Sequence, residues 1–481
     1  MMQQPTKFVR LDGDSTVLDQ EAVNEFTSSL RGACLVPSSA GYEESRVIWN
    51  ALADRRPALI VRCRGVADVI DTVNFARKHQ LLLAVRGGGH NVAGNATCDG
   101  GIVIDLSLMN SVRVDPGARR AWAGGGATLG DVDRETQAFG LAAPLGIVSQ
   151  TGIAGLTLGG GMGWLRRKYG LACDALASAD VVTADGRLLR ASADENSDLY
   201  WALRGGGGNF GVVTCFEYEL QQIGPLVTLC APFYPLEYGA EIMRRWLDFV
   251  AGAPDEFTSI CTIWSIPAAA PFPPEIHGRN VLIPTGIYLG DLEEGARYTQ
   301  PVREWGKPLL DLSGPMPYAA VQSAFDPFFA KGERYNYWKS LYLEKVDDDA
   351  IRRIVERGAN RPSPWSLMDI WHLGGAMGRV APDATAFGPR NAPWLLTLDS
   401  SWTDAKQTSA SIAWTREFWA EMKPWSGGGA YLNFPGLGEE GETLLRASYG
   451  EANYERLVRI KTKYDPGNLF RLNQNIKPRA T

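Results

Sequence analysis

The hydrophobic and polar positions of the chain alternate between strand-like and helix-like runs from residue 58 onwards. The apolar run 58–63 predicts a short strand, and apolar positions at helical spacing predict a helix over 66–80. A second apolar strand at 81–85 leads directly into the glycine-rich sequence 86–90. This pattern predicts a β-α-β unit that ends in a glycine turn.

Further elements follow in the same way up to residue 220. They are, in order, a buried strand at 101–107, a hairpin at 111–124 that turns at Asp115-Pro116-Gly117, a helix at 127–140, a hairpin at 178–192, a short helix at 197–204 and a strand at 212–220.

The composition of the chain changes near 221–225. Of the 15 tryptophans, 11 lie between Trp246 and Trp425, whereas the long glycine clusters largely stop. Strand-like runs at 280–290 and 393–402 predict a sheet in this second region. The final segment, with a charged helical run at 453–465, is too short for a domain of its own. We therefore expect a first domain over 1–221 with its core at about 57–221, a second over 222–430, and a segment 431–481 that completes the first.

Composition and charge exclude several classes of protein. The chain is 45% apolar and 21% charged, an ordinary globular composition, and its net charge of −6 offers no footprint for nucleic acid. No run approaches the roughly 20 apolar residues that span a membrane, and the first residues lack a signal-peptide pattern. The seven scattered cysteines lack a CxxC pair and predict reduced thiols of a cytoplasmic protein. The four histidines show no metal-binding spacing, so we expect no metal centre.

Glycine is concentrated in one region, because 26 of the 53 glycines lie between Gly87 and Gly211. Successive backbone N–H groups in such turns can bind a pyrophosphate. The clusters lie at 86–94, 123–130, 152–164 and 204–211. The last contains GxGxxG, but it follows a helix and precedes a strand, which disfavours a Rossmann site. Any one cluster could be only a tight turn, whereas all of them together favour a ligand.

His90 ends one of these clusters, where the preceding glycines leave room for a flat ligand. A neutral imidazole is a nucleophile, and it could bond to an electrophilic carbon such as the 8-methyl group of a flavin. A structural or exposed histidine is the alternative.

The glycine clusters and the C-terminal segment together resemble a known family. RGGGH, GIAGLTLGGGMGWLRRKYGLACD and WALRGGGGNFGVV are similar to the FAD-binding (PCMH-type) domain of vanillyl-alcohol-oxidase-type flavoproteins. The segment from YLNF to LFRLNQNI resembles the C-terminal signature of berberine-bridge-enzyme-like oxidases. The resemblance covers 57–221 and 430–478. It implies an α+β fold, in which a two-subdomain FAD-binding domain is joined to an antiparallel substrate-binding sheet covered by helices.

The resemblance also implies the residues that bind FAD. His90 would be the attachment residue. The remaining candidates are Val85, Arg86, Gly87, Gly88, Gly89, Asn91, Gly94, Val148, Thr151, Gly152, Gly155, Gly159, Gly160, Gly161, Gly163, Gly170, Leu171, Gly208, Phe210, Gly211, Tyr431, Asn433 and Asn473. Many relatives carry a second, cysteinyl attachment at the position of Val148, so we expect FAD to be linked through His90 only. Thr151, before Gly152, leaves reaction with O2 plausible.

Tyr431 and Asn433 match the YxN position of the family, and we take them as the catalytic candidates. On a strand the two side chains would share a face and could reach one substrate. A phenol with a pKa of about 10 is a poor base at neutral pH. Whether Tyr431 acts as a base, orients the substrate or is structural stays open.

Alternation along the second-domain strands supplies weaker substrate candidates. Met368, Ile370 and His372 share one face, and Asp369 and Trp371 share the other. One face should cover the flavin, and His372 could lie on either the cavity side or the helix-covered side. We name His372, Trp371 and Tyr337 as possible substrate contacts, although core packing is an alternative for Tyr337.

Together these observations predict an FAD-dependent oxidase. It would remove hydride from a C–H next to an OH or NH of a small, partly aromatic metabolite and pass the electrons to O2. The alternatives are an oligosaccharide oxidase, a dehydrogenase with another electron acceptor, and a flavin-binding protein without turnover. The oligomeric state is left open.

Overall fold

The computed structural model describes residues 6–388, 390–434, 436–438 and 441–479. Up to residue 222, short strands alternate with helices. The strands are β1 (Lys7–Val9), β2 (Ser15–Val17), β3 (Ala33–Leu35), β4 (Leu59–Arg62), β5 (Leu83–Arg86), β6 (Ile102–Asp105), β7 (Val112–Asp115), β8 (Arg120–Gly124), β9 (Leu141–Ala142), β10 (Leu176–Val182), β11 (Leu188–Ser192), β12 (Val212–Glu219) and β13 (Gln221–Gln222). The helices are α1 (Gln20–Ser29), α2 (Tyr42–Arg46), α3 (Val66–His79), α4 (Leu129–Gln137), α5 (Ile153–Leu158), α6 (Arg166–Tyr169) and α7 (Ser197–Leu203).

One sheet of this part has the strand order β3-β4-β6-β5, and both β4 and β5 run parallel to β6. Helix α3 connects β4 to β5 and buries Val69 and Val73 completely. The predicted β-α-β unit is therefore present, with β6 between its two strands. Ile102, Val103 and Ile104 are all fully buried, as expected for a parallel strand covered on both faces.

The neighbouring sheet is antiparallel, with the order β11-β10-β12-β8-β7. In the β7–β8 hairpin Val112 pairs with Ala123, which confirms the turn predicted at Asp115-Pro116-Gly117. Helix α4 begins with a capping box, in which the side chains of Thr128 and Asp131 each accept a backbone N–H of the other residue.

The second part contains the large sheet. Its strands are β14 (Leu226–Cys230), β15 (Pro232–Pro235), β16 (Phe257–Ser265), β17 (Asn280–Tyr288), β18 (Leu310–Asp311), β19 (Gly314–Pro317), β20 (Tyr335–Leu343), β21 (Leu367–His372) and β22 (Trp394–Trp402). Its helices are α8 (Gly239–Ala251), α9 (Leu292–Arg303), α10 (Tyr318–Ser323), α11 (Asp348–Ala359), α12 (Ala376–Arg379) and α13 (Thr408–Met422).

The strands of this sheet pair antiparallel along the path β18-β15-β17-β16-β21-β22-β20, and β14 joins it beside β17. Helices α8, α11 and α13 cover one face, where Ile263, Met368 and Leu398 pack against them. The opposite face, which carries Ile260 and Trp371, turns towards the first part. The α+β class and the helix-covered antiparallel sheet are confirmed.

The C-terminal helices α14 (Gly441–Tyr449) and α15 (Glu451–Tyr464) pack on the first part. Tyr454 and Leu457 of α15 belong to the same apolar core as Leu199 of α7. The buried ammonium group of Lys461 donates to the carbonyl of Asn209 at 2.8 Å and to Asp465 at 2.6 Å. The tail therefore contributes both apolar and polar contacts to the core of the first part.

Candidate active site

A cavity of about 300 Å³ lies between the glycine-rich loops of the first part and the uncovered face of the large sheet. Its loop side is lined by residues 87–92, 146–148 and 207–208, and the C-terminal segment adds 431–434 and 472–474. A deep, mainly apolar cavity with a few polar groups is the usual form of a small-molecule site. The glycine clusters and the large sheet therefore meet at one binding site.

Glycine shapes the floor of this cavity in two ways. A Cβ on Gly88 would lie 2.5 Å from the Cα of Gly152, so these two loops pack backbone against backbone. Gly155 and Gly208 also line the cavity, but a Cβ on either would meet no atom within 4 Å. A side chain at those two positions would take up cavity space. The floor therefore fits a ligand that lies against the backbone, as a pyrophosphate or a flat ring does.

His90 follows β5 and lines the cavity. Its imidazole stacks on the indole of Trp49, with ring centroids 4.3 Å apart and planes inclined by 17°. Its Nε2 is buried and has no hydrogen-bond partner among the described residues. Burial lowers the pKa of His90 to about 4, so the ring is neutral at pH 7. An uncharged imidazole with an unpartnered nitrogen fits a role in holding a cofactor.

Polar contacts fix the loop that carries His90. Arg86 pairs with the buried Asp105 at 2.7 Å. The side-chain amide of Asn50 donates to the carbonyl of Val92 at 2.6 Å and to that of Asn336 at 2.8 Å. Asn50 thereby joins the loop after His90 to strand β20 of the large sheet.

The C-terminal segment holds the opposite glycine loop in the same manner. The side-chain amide of Asn209 donates to the carbonyl of Gln474 at 3.2 Å, and its oxygen accepts from the N–H of Ile476 at 3.0 Å. Asn473 donates to the carbonyl of Gly208 at 3.1 Å. These bonds fix the loop between α7 and β12 where it lines the cavity.

Tyr431 and Asn433 lie in a turn and not on the predicted strand, because the N–H of Phe434 bonds the carbonyl of Tyr431 at 2.8 Å. The turn still brings the two side chains together. The phenolic oxygen of Tyr431 accepts from Asn433 Nδ2 at 2.8 Å and from the backbone N–H groups of Gly161 at 3.2 Å and Met162 at 3.1 Å. Burial outweighs these bonds and raises the pKa of Tyr431 to about 12. At neutral pH the phenol keeps its proton, so it can orient a substrate but is a poor base.

The sheet side of the cavity contains two carboxyl groups that the sequence analysis did not select, Asp369 on β21 and Asp399 on β22. Thr262 donates its hydroxyl proton to Asp369, and Oδ1 of Asp399 has no hydrogen-bond partner among the described residues. Burial raises the pKa of Asp369 to about 7. Burial, together with the charge of Asp369, raises the pKa of Asp399 well above its usual range. Both were recognisable as the acidic residue of a strand that is otherwise uncharged or mainly apolar.

Strand alternation places two of the predicted substrate contacts, His372 and Tyr337, away from the cavity. Leu367, Asp369 and Trp371 face the cavity. His372 therefore points to the other side, where its Nε2 lies 3.3 Å from Arg167 Nη1 and its ring lies 5.3 Å from that of Trp394. Tyr337 also lies on the helix-covered side, where its hydroxyl accepts from Arg416 Nε of α13 at 3.0 Å. The expectation that His372 and Tyr337 contact substrate is wrong on this geometry, whereas Trp371 does line the cavity.

The remaining candidates divide into those that line the cavity and those that support it. Lining it are Val85, Gly87, Gly88, Gly89, His90, Asn91, Val148, Thr151, Gly152, Gly155, Gly159, Gly208, Gly211, Tyr431, Asn433 and Asn473. Outside the lining are Arg86, Gly94, Gly160, Gly161, Gly163, Gly170, Leu171 and Phe210. Several of these are packing positions: a Cβ on Gly163 would lie 1.6 Å from the carbonyl oxygen of Leu145, and Leu171 and Phe210 are fully buried.

The cavity lining contains no cysteine among the described residues. Val148 is among the residues that line the cavity. Cys173 is buried outside the lining, and its Sγ lies 3.8 Å from Asp174 Oδ1. Burial also raises its pKa, which disfavours the reactive thiolate.

Within the described ranges, no group of His, Cys, Asp and Glu side chains has the arrangement of a metal site. No helix in these ranges is both long and apolar enough to cross a membrane.

Comparison with known proteins assigns this arrangement to a family. Residues 57–192 match the FAD binding domain family, and residues 430–477 match the family described as berberine and berberine like. The (R)-6-hydroxynicotine oxidase of Paenarthrobacter nicotinovorans is 32% identical over 468 residues, which cover 94% of this chain and 98% of that protein. An FAD-linked oxidoreductase of Dictyostelium discoideum is 31% identical over 462 residues, covering 95% and 97%.

Solved structures agree with this assignment. The 6-hydroxy-D-nicotine oxidase from Arthrobacter nicotinovorans superimposes with a TM-score of 0.83 at 29% identity, over 94% of this chain and 98% of that one. A chitooligosaccharide oxidase gives a TM-score of 0.82 at 23% identity, over 95% and 100%, which shows a shared fold. The chain is an FAD-dependent oxidoreductase. It belongs to the berberine-bridge-enzyme-like family of FAD-linked oxidoreductases.

Proposed function

We propose that the protein is an oxidase that removes hydride from a carbon bearing an OH or NH group in a small, partly aromatic metabolite, with O2 as the final acceptor. FAD, when bound, supplies the hydride acceptor. The observation that carries the proposal is a single cavity in which His90 and the glycine floor face a wall bearing Tyr431 and Asp369.

We also propose that FAD is attached through His90 alone. The support is the neutral, unpartnered imidazole at the cavity and the absence of cysteine from the described lining. A neutral ring nitrogen is the form that can attack an electrophilic carbon. Stacking on Trp49 limits rotation of the ring and would hold it in one orientation.

Two residues have separate roles at the substrate: Tyr431 orients it, and Asp369 accepts its proton. Tyr431, held by Asn433 and two backbone N–H groups, donates a hydrogen bond from its hydroxyl to a substrate heteroatom and so orients the substrate. Asp369 takes the proton from the OH or NH group, because burial places its pKa at about 7. A base with a pKa close to the working pH is available and still strong enough to accept a proton.

Aromatic residues make up much of the remaining wall, and they favour a flat substrate. Trp164, Trp338, Trp371 and Phe434 all line the cavity. A relative at 32% identity is an oxidase of a hydroxynicotine, a small aromatic compound, which agrees with this reading. The oligosaccharide alternative draws on a structure at 23% identity, where the likeness extends only to the fold.

Reoxidation of the cofactor tests the choice of acceptor. The purified yellow protein is reduced anaerobically by light with EDTA as the electron donor and mixed with air-saturated buffer, while flavin absorbance and peroxide are followed. An oxidase regains its colour within seconds and forms about one H2O2 per flavin. Reduced flavin that persists for minutes would contradict O2 as the acceptor and favour a dehydrogenase.

A further inference from the structure

The carboxyl pair on the sheet wall, Asp369 and Asp399, has no positively charged side chain in direct contact within the described part of the chain. Asp369 accepts from the neutral hydroxyl of Thr262, and Oδ1 of Asp399 has no hydrogen-bond partner among the described residues. We propose that this pair binds the protonated amino group of an aromatic amine. The substrate of the proposed oxidase, on which this inference rests, is then a cation and not a neutral alcohol or sugar.

The strand register places the two carboxyl groups on one face. Asp369 lies opposite Thr397, and Asp399 lies opposite Leu367, so the two acids are diagonal neighbours on the paired strands β21 and β22. Diagonal side chains on adjacent strands are within mutual reach. Two acids this close in a buried wall cannot both ionise easily. Burial raises the pKa of Asp369 to about 7 and that of Asp399 still further above its usual range, so at pH 8 the pair keeps a proton on Asp399 and carries a negative charge on Asp369.

The guanidinium of Arg166 does not neutralise the carboxyl pair by direct contact. Arg166 acts on Asp369 from a distance, but its N–H groups donate to the carbonyls of Gly163, Ser259 and His372. Its guanidinium lies 5.0 Å from the centroid of the Trp371 ring. Arg167 and His372 lie towards the helix-covered side. The cavity side of the pair therefore presents acceptor oxygens, with no cationic side chain of the described ranges in contact.

The walls beside the pair are suited to a cation that carries an aromatic ring. Trp338 lies directly opposite Asp399 in the register of β20 and β22. The ring of Phe434 lies 5.3 Å from that of Trp338 and 6.4 Å from that of Trp371. Aromatic faces attract cations, and more strongly where water is excluded. A bound ammonium would also give Oδ1 of Asp399 the donor it lacks.

Charge recognition also fits the proposed proton transfer. An ammonium bound at the pair would pass one proton to the Asp369 carboxylate, leaving a neutral amine and a carboxylic acid. A sugar or alcohol would leave the negative charge of the pair without a partner, and a buried unpaired charge disfavours binding.

A matched pair of probes tests the proposal on the holoenzyme. Benzamidine is an aromatic cation with N–H donors, and benzamide is its neutral counterpart. Both are titrated at pH 8, and binding is read from changes in the flavin absorption spectrum. We expect benzamidine to bind wild type at least 10-fold more tightly than benzamide. Equal affinities in wild type would overturn the proposal.

Variants then assign the preference to the pair. Asp369→Asn, Asp399→Asn and the double variant should bring the two affinities within about 3-fold of each other while benzamide binding is retained. Asp248→Asn, on the exposed side of α8, is the control and should keep the wild-type ratio. Flavin content of each variant verifies folding. An unchanged ratio in the double variant would refute the assignment.

The proposed function is checked separately in the same samples. Light-driven reduction followed by reoxidation in air needs no substrate, so slow reoxidation would refute the oxidase while leaving the cation preference intact. Fast reoxidation with no cation preference would refute only the amine proposal.

Discussion

A buried carboxyl at the contact between the two parts of the molecule should oppose folding at neutral pH. Asp133 lies on α4 and is 2% exposed. Its Oδ2 accepts from the side-chain amide of Gln322 on α10 at 3.1 Å, and its Oδ1 has no partner among the described residues. We therefore predict that Asp133→Asn stabilises the protein by an amount that depends on pH.

The magnitude follows from the shift in pKa. Burial raises the pKa of Asp133 to about 7 against the opposing hydrogen bond from Gln322, whereas an unfolded aspartate titrates near about 3.9. The native state holds the proton more tightly, so ionisation opposes folding. The destabilisation is absent below about pH 4, grows from there to about pH 7, and is constant above. About three pKa units at 1.36 kcal/mol each correspond to about 4 kcal/mol.

Urea unfolding at pH 5 and pH 8, followed by tryptophan fluorescence, measures this effect. The gain in unfolding free energy of Asp133→Asn over wild type should be about three times larger at pH 8 than at pH 5, because only about a third of the effect is present at pH 5. Asp248→Asn, an exposed aspartate, should show no such trend. A gain that is the same at both pH values, or a loss at pH 8, would refute the reasoning from burial.

Three further predictions concern the cavity. Tyr431→Phe should leave flavin content near that of wild type but slow flavin reduction by substrate at least 10-fold in anaerobic stopped-flow, because the substrate loses the hydroxyl that orients it. An unaltered rate of reduction would show that Tyr431 does not take part in the reaction. The kcat/KM of wild type should rise about 10-fold per pH unit up to about pH 7 and then level off. The reason is that burial raises the pKa of Asp369 to about 7, and the base is active only as the carboxylate. A flat profile from pH 5 to 8 would exclude Asp369 as the base. Gly155→Val should lower the amount of bound flavin several-fold, because the valine side chain would project into the cavity. Gly252→Val, at an exposed helix end, is the control and should keep the wild-type flavin content, measured by absorbance ratio. Equal flavin content in the two variants would contradict the placement of the cofactor.

Local features of the fold were predictable from sequence because their causes are local. The β7–β8 hairpin is fixed by a turn sequence within it, and α3 by apolar spacing along one helix. His90 could be selected in the same way, since a histidine directly after three glycines at a strand end is visible without knowing what faces it.

Long-range features were not predictable, because they depend on which strands and layers meet. Alternation separated Trp371 from His372, but both faces of the sheet are covered and apolar, so the cavity side could not be chosen. The pairing of Asp369 with Asp399 required the neighbouring positions of β21 and β22. Tyr431 and Asn433 were expected to meet on a strand, and they meet in a turn instead.

Locating the covalent attachment site of FAD tests the central claim, attachment at His90, most directly. Wild-type protein and His90→Ala are precipitated with acid, washed and digested with a protease. The mass of the peptide that contains residue 90 is then measured by mass spectrometry. We predict a yellow wild-type pellet in which that peptide carries the added mass of FAD, and a colourless His90→Ala pellet. A colourless wild-type pellet, or FAD found on another peptide, would contradict the central claim.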